Sequence, residues 1–585
     1  MPSAFPQIPY GWADFEAIRT EGCLYVDKTR FLHELENARY AFFIRPRRFG
    51  KSCWVSLLES YYDRNRADRF ETLFAGTDIG RQPTANRHRY VILRFDFSAF
   101  DDTLETLRER FETYCLIKLR GALERNRDLF PEPVIDRILA HPSIDGKLNQ
   151  LFEYAGEHVI PLYVLIDEYD NFANTVLAYR GAEAYQSFTH GGGFYRSFFA
   201  TLKAGAGHGG GVERMFITGV SPITMDDVTS GFNIGTNISL QPEFNELLGF
   251  TAAEVRTVLE TYRDHGVFGQ DVDETMAVMD EWYNGYRFAK GAANDLYNTD
   301  MVLYYVNGSI PNKPPPDDLI DTNVRIDYGK LRHLLVTGRR LNGNFELLRH
   351  VIADGQADTP IQAAFPLDRL TRRENFLSLM HYFGLLSIRG AARGMPRLGI
   401  PNQTVKRLMY GYLRDAWDDM GVFSVDFYDL LRLTGDMAYE GAWRPVVEYL
   451  SGTVARQTGI RDYIDGEKVV QTFFAAYLGL TDHFVLHSEQ ELNKGYADLY
   501  LEPFTSRHPE IGYGYVIGFK YVKRGEKLDE SRTMDARREA TDQLRGYLRD
   551  ERLLRNPRVR HMGLALVFHG WELVACEAVE LPHPR

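Results

Sequence analysis

Long apolar runs are absent from this sequence of 585 residues. No stretch approaches the roughly 18 apolar residues that a membrane-spanning helix requires, so we expect neither a transmembrane segment nor a membrane partner. The first residues have neither a basic start nor an apolar core, so we expect no signal peptide. Internal repeats and long low-complexity tracts are also missing, which leaves folded domains of ordinary composition as the expectation.

Cysteine is scarce, and the four cysteines are far apart: Cys23, Cys53, Cys115 and Cys576. Their spacing matches neither a metal-binding motif nor a disulfide framework, so we expect a reducing, cytoplasmic environment. Positive charge is in deficit, because the net charge is −12 and the pI is about 5.8. A global attraction to nucleic acid is therefore excluded, and any such binding must come from local basic patches.

Strand-like apolar runs alternate with amphipathic helical stretches in the first half of the chain. The strand candidates are RYAFFI (39–44), RYVILRFDF (89–97), IPLYVLID (160–167) and VERMFITG (212–219). Strands separated by helices predict a parallel α/β sheet. The 34 tyrosines and 37 phenylalanines argue against disorder. The length corresponds to roughly three to four domains.

The first of these strands runs into a loop that ends with Gly50, Lys51 and Ser52, and a helical stretch follows at once. Backbone N–H groups and the positive end of the helix hold phosphates in such a loop. Lys51 would reach the β and γ phosphates of ATP, and Ser52 would hold Mg²⁺. The complete motif has a glycine where Arg45 stands, and Arg48 adds positive charge. All five residues are predicted to contact the nucleotide.

Two later strands end in polar residues that suit the same site. Asp167 ends the third strand, and Glu168 follows it. Asp167 would coordinate Mg²⁺, and Glu168 would activate the attacking water. Thr218, at the end of the fourth strand, is a candidate sensor of the γ-phosphate, with an ordinary strand-end role as the alternative. Arg214 and Arg287 are candidate transition-state arginines, with surface ion pairs as the alternative.

The chain resembles the bacterial and archaeal AAA-ATPase-like family that carries a C-terminal PD-(D/E)XK nuclease-like domain. Matching stretches run from residue 8 to about residue 405 and include IPYGWADFEAIR, YVDKTRFL, IRPRRFGKS, LIDEYDN, FITGVSPI, LLGFTAAEV, WYNGYRF and GIPNQTV. The resemblance implies that an arginine at position 45 is usual and that Asp27 and Lys28 belong to the segment near the nucleotide. It also implies that the ATPase residues are Lys51, Ser52, Asp167 and Glu168.

Three domains are predicted from these patterns. Residues 1–265 form an AAA-ATPase-like P-loop domain, residues 266–425 a helical region, and residues 426–585 a PD-(D/E)XK nuclease-like domain. Within the middle region, residues 374–413 have a helix, hairpin and helix in succession. That succession is typical of a winged-helix-like module or of a helical linker with one hairpin, and both interpretations remain open.

The last domain contains the residue types of a restriction-endonuclease-like α/β fold. Asp498 lies in a strand-like run, and Lys520 ends the next one; Glu467 opens a helical stretch before them. In such nucleases the carboxylates bind Mg²⁺, and the lysine orients water or stabilises the charged phosphate. Gln543 and Tyr547 resemble the Q-x-x-x-Y element of RecB-like nucleases and share one helix face.

Gly518 breaks this pattern, because restriction-like nucleases have an acidic residue two positions before the lysine. One carboxylate holds Mg²⁺ poorly, since hard cations take several oxygen ligands. Either another glutamate (467, 489 or 491) supplies the missing ligand, or the domain binds nucleic acid without cutting it. A local basic patch suited to a phosphate backbone contains Lys520, Lys523, Arg524 and Lys527.

We therefore predict an ATP-binding, Mg²⁺-dependent ATPase whose nucleotide state controls a degenerate nuclease-like module that contacts DNA or RNA. Two alternatives remain: a non-catalytic, nucleotide-switched scaffold, and an active Mg²⁺-dependent nuclease with a migrated carboxylate. The resemblance also allows an oligomer, in which a neighbouring copy contributes an arginine to the ATP site.

Overall fold

The structure is a computed structural model that describes residues 5–99, 104–229, 234–324, 336–337, 340–341, 343–419, 421–456, 466–526 and 529–580. The chain divides into two compact units. Unit 1 is Met1–Lys330 with Asp358–Asn402, and unit 2 is Leu331–Ala357 with Gln403–Arg585. None of the described helices has the length and apolar character that crossing a bilayer requires.

The described strands are numbered along the chain. They are β1 (Tyr40–Ile44), β2 (Val91–Asp96), β3 (Leu162–Asp167), β4 (Val212–Gly219), β5 (Thr236–Asn237), β6 (Val336–Thr337), β7 (Arg340–Leu341), β8 (Gln356–Asp358), β9 (Ser387–Ala392), β10 (Met395–Gly399), β11 (Phe484–Leu492), β12 (Gly495–Pro503), β13 (Tyr513–Val522), β14 (Arg560–His569) and β15 (Glu572–Glu580).

Unit 1 contains most of the described helices. They are Phe15–Thr20, Phe31–Leu35, Lys51–Tyr62, Phe70–Phe74, Asp78–Arg81, Leu104–Arg125, Glu132–Ala140, Ile144–Glu157, Asn171–Arg180, Ala182–Thr189, Phe194–Gly205, Pro222–Thr229, Ala252–Asp264, Val272–Tyr283, Thr299–Ser309 and Arg373–Tyr382. The described helices of unit 2 are Gly343–Asp354, Gln403–Asp419, Phe427–Glu440, Trp443–Arg456, Glu467–Leu478, Glu530–Tyr547 and Glu551–Leu554.

A five-stranded parallel sheet with the order β2-β3-β4-β1-β5 is the centre of unit 1. Every residue of β3 is buried, as is typical of a parallel sheet covered by helices on both faces. This sheet confirms the predicted α/β fold. The parallel arrangement brings the carboxyl ends of β1, β3 and β4 to one edge, where ligands bind in folds of this kind.

A mixed five-stranded sheet with the order β11-β12-β13-β14-β15 is the centre of unit 2. Strands β13 and β14 are parallel, and the other neighbouring pairs are antiparallel. The helix Glu530–Tyr547 packs against one face, where Leu544 lies over Gly518. On the other face Phe474 contacts Phe519, with 5.4 Å between ring centroids. The order of strands and helices agrees with the predicted nuclease-like fold.

The predicted domain boundaries at residues 265/266 and 425/426 differ from the limits of the compact units. Residues beyond 266 remain in unit 1 because they bond to segments that precede this boundary. The Asp300 N–H donates to the Arg48 carbonyl at 3.2 Å, and Tyr297 bridges to Phe250. The predicted helix–hairpin–helix is present at residues 373–419. Its hairpin belongs to unit 1 and its last helix, Gln403–Asp419, to unit 2.

Gly219, at the end of β4, allows a close approach between that strand and the segment after β3. A Cβ atom at this position would collide with the Asp170 carboxylate and the Tyr169 ring. We expect Gly219→Ala to lower the free energy of unfolding by about 1–3 kcal/mol, because the packed loop must shift. Urea unfolding of the full chain measures the effect. Gly192→Ala is the matched control, since nothing lies within 4 Å of its added Cβ; equal midpoints for both variants would contradict this expectation.

Candidate functional site

The segment between β1 and the helix Lys51–Tyr62 borders a cavity of about 570 Å³. Gly50 precedes the helix with φ 95°, a left-handed conformation that glycine adopts without strain. The first N–H groups of the helix therefore lack helical partners at the cavity. The lining includes Gly50, Lys51 and Ser52, as the sequence predicts. The cavity thus lies at the N-terminus of a helix, a position at which free N–H groups can bind anions.

The Lys51 ammonium is buried at this cavity and has two oxygen neighbours. It donates to the Pro46 carbonyl at 3.2 Å, and its Nζ lies 3.4 Å from Glu168 Oε1. Glu168 itself has φ 50°, a strained conformation for a residue other than glycine. The lysine predicted for phosphate contact and the glutamate predicted for water activation thus form an ion pair at one cavity.

Asp167 ends β3 and is fully buried. Burial and the adjacent Glu168 charge raise the pKa of its carboxyl to about 6, although the Ser52 hydroxyl and Lys51 lower it. Its Oδ1 accepts the Glu168 N–H at 2.9 Å, but its Oδ2 has no hydrogen-bond partner among the described residues. A buried carboxylate and a neighbouring hydroxyl are two of the oxygen ligands that Mg²⁺ takes in phosphoryl-transfer sites, where phosphates and water supply the others. Asp167 and Ser52 therefore fit a magnesium ion.

Asp170 is a buried carboxylate that the sequence interpretation missed. It accepts hydrogen bonds from the N–H groups of Val220 and Ser221 and from the Asn174 side chain, at 3.1, 2.6 and 2.7 Å. Burial and the Glu168 charge raise the pKa of its carboxyl to about 6. Asp170 thus fixes the segment after β4 relative to the segment after β3, and the latter lines the cavity through Glu168 and Asn171.

Arg45 does not contact the cavity, in contrast to the prediction. Its guanidinium is 1% exposed and donates to the carbonyls of Ile44, Ser239 and Phe244, at 3.0, 2.8 and 3.0 Å. It also lies 4.3 Å from the centre of the Phe288 ring. Because its guanidinium bonds to buried main-chain carbonyls, Arg45 stabilises the loop from the protein interior and does not contact a ligand in the cavity.

Thr218 also lies outside the cavity lining. Its hydroxyl is fully buried and donates to the Phe43 carbonyl at 2.6 Å, within the β1–β4 pair. This hydrogen bond within the sheet agrees with the ordinary strand-end role that was considered as the alternative. The strand pattern indicated where β4 ends but not which way the Thr218 side chain points.

Arg48 lines the cavity, as predicted, and forms an ion pair of 3.1 Å with Asp300. Arg47 lines it as well and donates to the Asn171 side chain at 3.3 Å. Asn171 in turn donates to the Ser98 carbonyl at 3.2 Å. Asn171 and Asp300 went unnoticed in the sequence because neither belongs to the strand–loop–helix motif.

The segment with Asp27 and Lys28 has a structural role beside the site. The Asp27 carboxylate accepts the N–H groups of Thr29 and Asp78, at 2.9 and 2.7 Å. The Lys28 ammonium is paired with Glu254 at 2.7 Å.

The two candidate transition-state arginines are engaged locally. Arg214 donates to the Glu36 carbonyl at 2.8 Å, and Arg287 pairs with Asp295 at 2.8 Å. The Arg287 contact agrees with the ion pair considered as its alternative, whereas Arg214 is bonded to a main-chain carbonyl and to the Tyr90 hydroxyl.

A second group of predicted residues surrounds Asp498 on β12. The Asp498 carboxylate accepts the Phe519 N–H at 2.7 Å, and burial together with the Glu467 charge raises its pKa to about 6. Burial also raises the pKa of Glu467, at the first position of its helix, while the Lys520 charge opposes that rise. Asp498, Glu467 and Lys520 thus belong to one electrostatic cluster.

This cluster does not form a metal-binding set. The Lys520 ammonium donates to Glu539 at 2.6 Å. In the ranges that the structure describes, Asp498 belongs to no group of three ligand atoms that all lie within 4.8 Å of one another. Glu489 is close enough for the Asp498 charge to raise its pKa, but it does not complete such a group. The residues present do not fit the Mg²⁺ centre of a nuclease.

Gly518 faces Leu544, and a Cβ at this position would lie 3.7 Å from the Leu544 side chain, an ordinary contact. The fold therefore has room for a side chain where the expected carboxylate is missing. Of the two supporting residues, Tyr547 is near the cluster, since burial and then the Asp498 and Glu489 charges raise its pKa. Gln543 is exposed, and no hydrogen bond links it to Asp498 among the described residues.

The predicted basic patch is only partly described. Lys523 and Arg524 are exposed, whereas Lys520 is paired with Glu539. Lys527 lies outside the described residues.

Comparison with protein families gives one match in each of the two regions that contain these residues. Residues 9–229 match the family of predicted AAA-ATPases, and residues 465–578 match the PD-(D/E)XK nuclease superfamily. The chain combines an AAA-ATPase-like domain with a C-terminal PD-(D/E)XK nuclease-like domain. The first match contains the phosphate loop and both acidic residues after β3. The second contains Glu467, Asp498 and Lys520.

A curated relative is an uncharacterized protein in the vnfD 5' region of Azotobacter chroococcum mcd 1. It is 27% identical over 307 residues, which are 51% of this chain and 52% of the relative. The chain thus spans about half the length of that relative. A solved structure, that of the Aeropyrum pernix ORC2 protein in ADPNP-ADP complexes, aligns with a TM-score of 0.30 and 11% identity. The alignment covers 72% of this chain and 96% of ORC2.

The raised pKa of Asp167 predicts a pH-dependent cost to stability. Between about pH 4 and pH 6 the folded state holds the Asp167 proton more tightly than the unfolded state, so stability falls as pH rises through this window. We expect Asp167→Asn to raise the free energy of unfolding on the order of 2 kcal/mol at pH 7.5 and to have little effect at pH 4. Urea unfolding at the two pH values measures this, with exposed Asp68→Asn as the control; a pH-independent gain would contradict it.

Proposed function

We propose that unit 1 binds and hydrolyses ATP in the presence of Mg²⁺. The observation that carries this proposal is the convergence of Lys51, Ser52 and Glu168 on one cavity beside the buried Asp167. These side chains come from two separate strand ends, and only the parallel sheet brings them together. A lysine, a serine and two acidic residues are the residue types that phosphoryl transfer requires.

The residues have distinct roles in this proposal. The N–H groups at the start of the helix and the Lys51 ammonium bind the phosphates, and Arg47 and Arg48 extend the positive wall of the cavity. Ser52 and Asp167 would hold Mg²⁺, which neutralises charge on the phosphates. Glu168 accepts the proton of the attacking water once a phosphate has drawn Lys51 away from it.

Unit 2 is proposed to contact DNA or RNA without efficient cleavage. The nuclease-like sheet is present, but Gly518 supplies no carboxylate and Lys520 is engaged by Glu539. The exposed Lys523 and Arg524 suit a phosphate backbone. We further propose that nucleotide bound to unit 1 controls this contact.

The four free cysteines are consistent with a reducing cytoplasm. An arginine contributed to the ATP site by a neighbouring copy of the chain remains a prediction.

A nuclease with a migrated carboxylate is the second candidate. Glu489 favours it, because burial and the charge of the nearby Asp498 raise the pKa of the Glu489 carboxyl. A scaffold that binds nucleotide without turnover is the third. Phosphate release and plasmid cleavage separate these possibilities.

Lys51→Ala and Glu168→Gln test the ATPase proposal. We expect Lys51→Ala to weaken ATP binding and to lower phosphate release about a hundredfold or more, because the phosphates lose their ammonium partner. Glu168→Gln should keep ATP binding and lose turnover by about a hundredfold, since the proton acceptor is gone. Phosphate release is measured with and without DNA.

Thr218→Val is the matched control for these variants, since its hydroxyl bonds to the Phe43 carbonyl and not to the cavity. It should retain phosphate release within about twofold while losing one buried hydrogen bond. Undetectable hydrolysis by the native chain, or full activity of Lys51→Ala, would refute the ATPase proposal.

Gly518→Glu tests the degenerate C-terminal site. We expect the native chain to leave plasmid intact with Mg²⁺ or Mn²⁺. The Gly518→Glu variant should fold normally, since the atoms nearest to its Cβ belong to Leu544 and lie at ordinary contact distance. The new carboxylate should increase Mn²⁺ binding, because it adds an oxygen ligand near Asp498. Calorimetric titration with Mn²⁺ measures the gain, and Gly518→Gln is the neutral control. Adding Asp498→Ala should abolish the gain.

Plasmid cleavage by the native chain that disappears in Asp498→Ala and in Lys520→Ala would favour the migrated-carboxylate nuclease instead.

A further inference from the structure

Unit 2 contains a polar cavity of about 440 Å³ that none of the proposed roles uses. Its lining comes from β11, from β12, and from the segment that joins the helix Glu551–Leu554 to β14. Within the described lining, Asp498 and Lys520 are absent, so the cavity is separate from the cluster around Asp498. Its volume lies in the range of small-molecule sites, roughly 300–1,000 Å³.

Three aromatic rings line this cavity, those of His487, Tyr500 and His561. The His487 and Tyr500 rings are stacked, with 5.7 Å between centroids and 22° between planes. The Tyr500 hydroxyl and His561 Nε2 are hydrogen-bonded at 3.1 Å, so both are satisfied without a ligand. Burial lowers the pKa of His561 to about 4, and its ring is therefore neutral at neutral pH. Tyrosine and histidine rings at a cavity stack well with the bases of single-stranded nucleic acid.

Two side chains of opposite charge, Glu502 and Arg555, line the same cavity. The Glu502 side chain is 49% exposed, and its Oε2 accepts the His487 Nε2–H at 2.8 Å. Its Oε1 has no hydrogen-bond donor among the described residues. Arg555 is exposed and has no carboxylate partner in the ranges that the structure describes, whereas Arg552 is paired with Asp550 at 2.9 Å. The cavity thus offers one available carboxylate oxygen and one available guanidinium.

The Glu502 carboxylate restricts which base the cavity accepts, because an ionised carboxylate only accepts hydrogen bonds. Guanine presents two adjacent donors, N1–H and N2–H₂, on its Watson–Crick edge. Adenine and cytosine place their amino group beside an acceptor nitrogen that repels a carboxylate, and uracil and thymine have one N–H between two carbonyls. Guanine is therefore the base that this lining favours. The Arg555 guanidinium suits the phosphate of the same nucleotide.

We propose that this cavity binds an unpaired guanine nucleotide, with the base at the stacked rings and Glu502 and the phosphate at Arg555. The proposal deepens the contact of unit 2 with DNA or RNA proposed above, since it names the base and the residues that recognise it. A free mononucleotide and an unstacked nucleotide in a single strand present the same chemistry. A base inside a duplex does not, because its Watson–Crick edge is already paired.

Isothermal titration of the full chain with GMP and AMP tests the free nucleotide. We expect GMP to bind about tenfold more tightly, and we expect Glu502→Gln to reduce this preference to less than about twofold, because an amide presents a donor in place of one carboxylate oxygen. Glu510→Gln, an exposed residue outside the lining, is the matched control. Lys51→Ala should keep the preference, which assigns it to unit 2.

Arg555→Ala is an independent variant at an exposed position, where the fold tolerates the change. It should weaken binding of GMP about threefold or more and leave guanosine, which has no phosphate, within about twofold. The exposed Arg558, also outside the lining, gives the matched control Arg558→Ala.

Fluorescence anisotropy with labelled single strands tests the nucleotide within a chain. The probes are oligo-deoxyadenosine, the same strand with one central deoxyguanosine, and the same strand with deoxyinosine, which lacks the N2 amino group. The deoxyguanosine strand should bind most tightly, and Glu502→Gln should remove its advantage. A guanine preference in this arm alone assigns the cavity to strands, and a preference in both arms assigns it to free nucleotides as well.

The absence of a guanine preference in both arms, or a preference that persists in Glu502→Gln, would overturn the proposal. Equal binding of all three strands together with equal binding of GMP and AMP would overturn it while leaving the nucleic-acid contact of unit 2 intact. Failure of every strand to bind would refute that contact, and the comparison of GMP with AMP would then decide the cavity by itself.

Discussion

The phosphate loop depends on one buried cation, the guanidinium of Arg45. It is almost completely inaccessible, and burial lowers its pKa to about 9, so it still carries its charge at neutral pH. Three main-chain carbonyls accept its hydrogen bonds, two of them from residues after β5. A buried charge is tolerated only with such partners. The arginine thus ties the start of the loop to distant segments and leaves Lys51 to face the cavity.

Buried negative charge at the same sheet edge is a second constraint on the structure. Asp167 and Asp170 are both buried close to Glu168, and each of their carboxyls has a raised pKa. Holding them charged at neutral pH costs stability, which a bound cation would offset at Asp167. The cluster at Asp498 has raised pKa values as well, but among the described residues its carboxylates join no group of three closely spaced ligand atoms. At Asp167 the Ser52 hydroxyl adjoins the carboxylate, whereas near Asp498 the Lys520 ammonium is paired with Glu539.

Sequence patterns predicted the two sheets, because apolar runs and turn residues are local signals. They also predicted Lys51, Ser52, Asp167 and Glu168 as site residues, because these lie in local strand–loop–helix and strand-end motifs. The direction of a side chain is not a local signal, and Arg45 and Thr218 were therefore assigned to a cavity that they do not line. Trp12 and Asp300 escaped notice because they reach the cavity from segments nearly 300 residues apart, and only the fold brings them together.

The central claim is that Lys51, Ser52, Asp167 and Glu168 form a Mg²⁺-ATP site. A structure of the full chain with Mg²⁺ and a non-hydrolysable ATP analogue tests it most directly. The account predicts a triphosphate against the start of the helix Lys51–Tyr62, with Lys51 at its β and γ phosphates and a metal ion bound by Ser52 and Asp167. A nucleotide bound elsewhere, or a triphosphate in this loop whose metal ion contacts neither Ser52 nor Asp167, would contradict it.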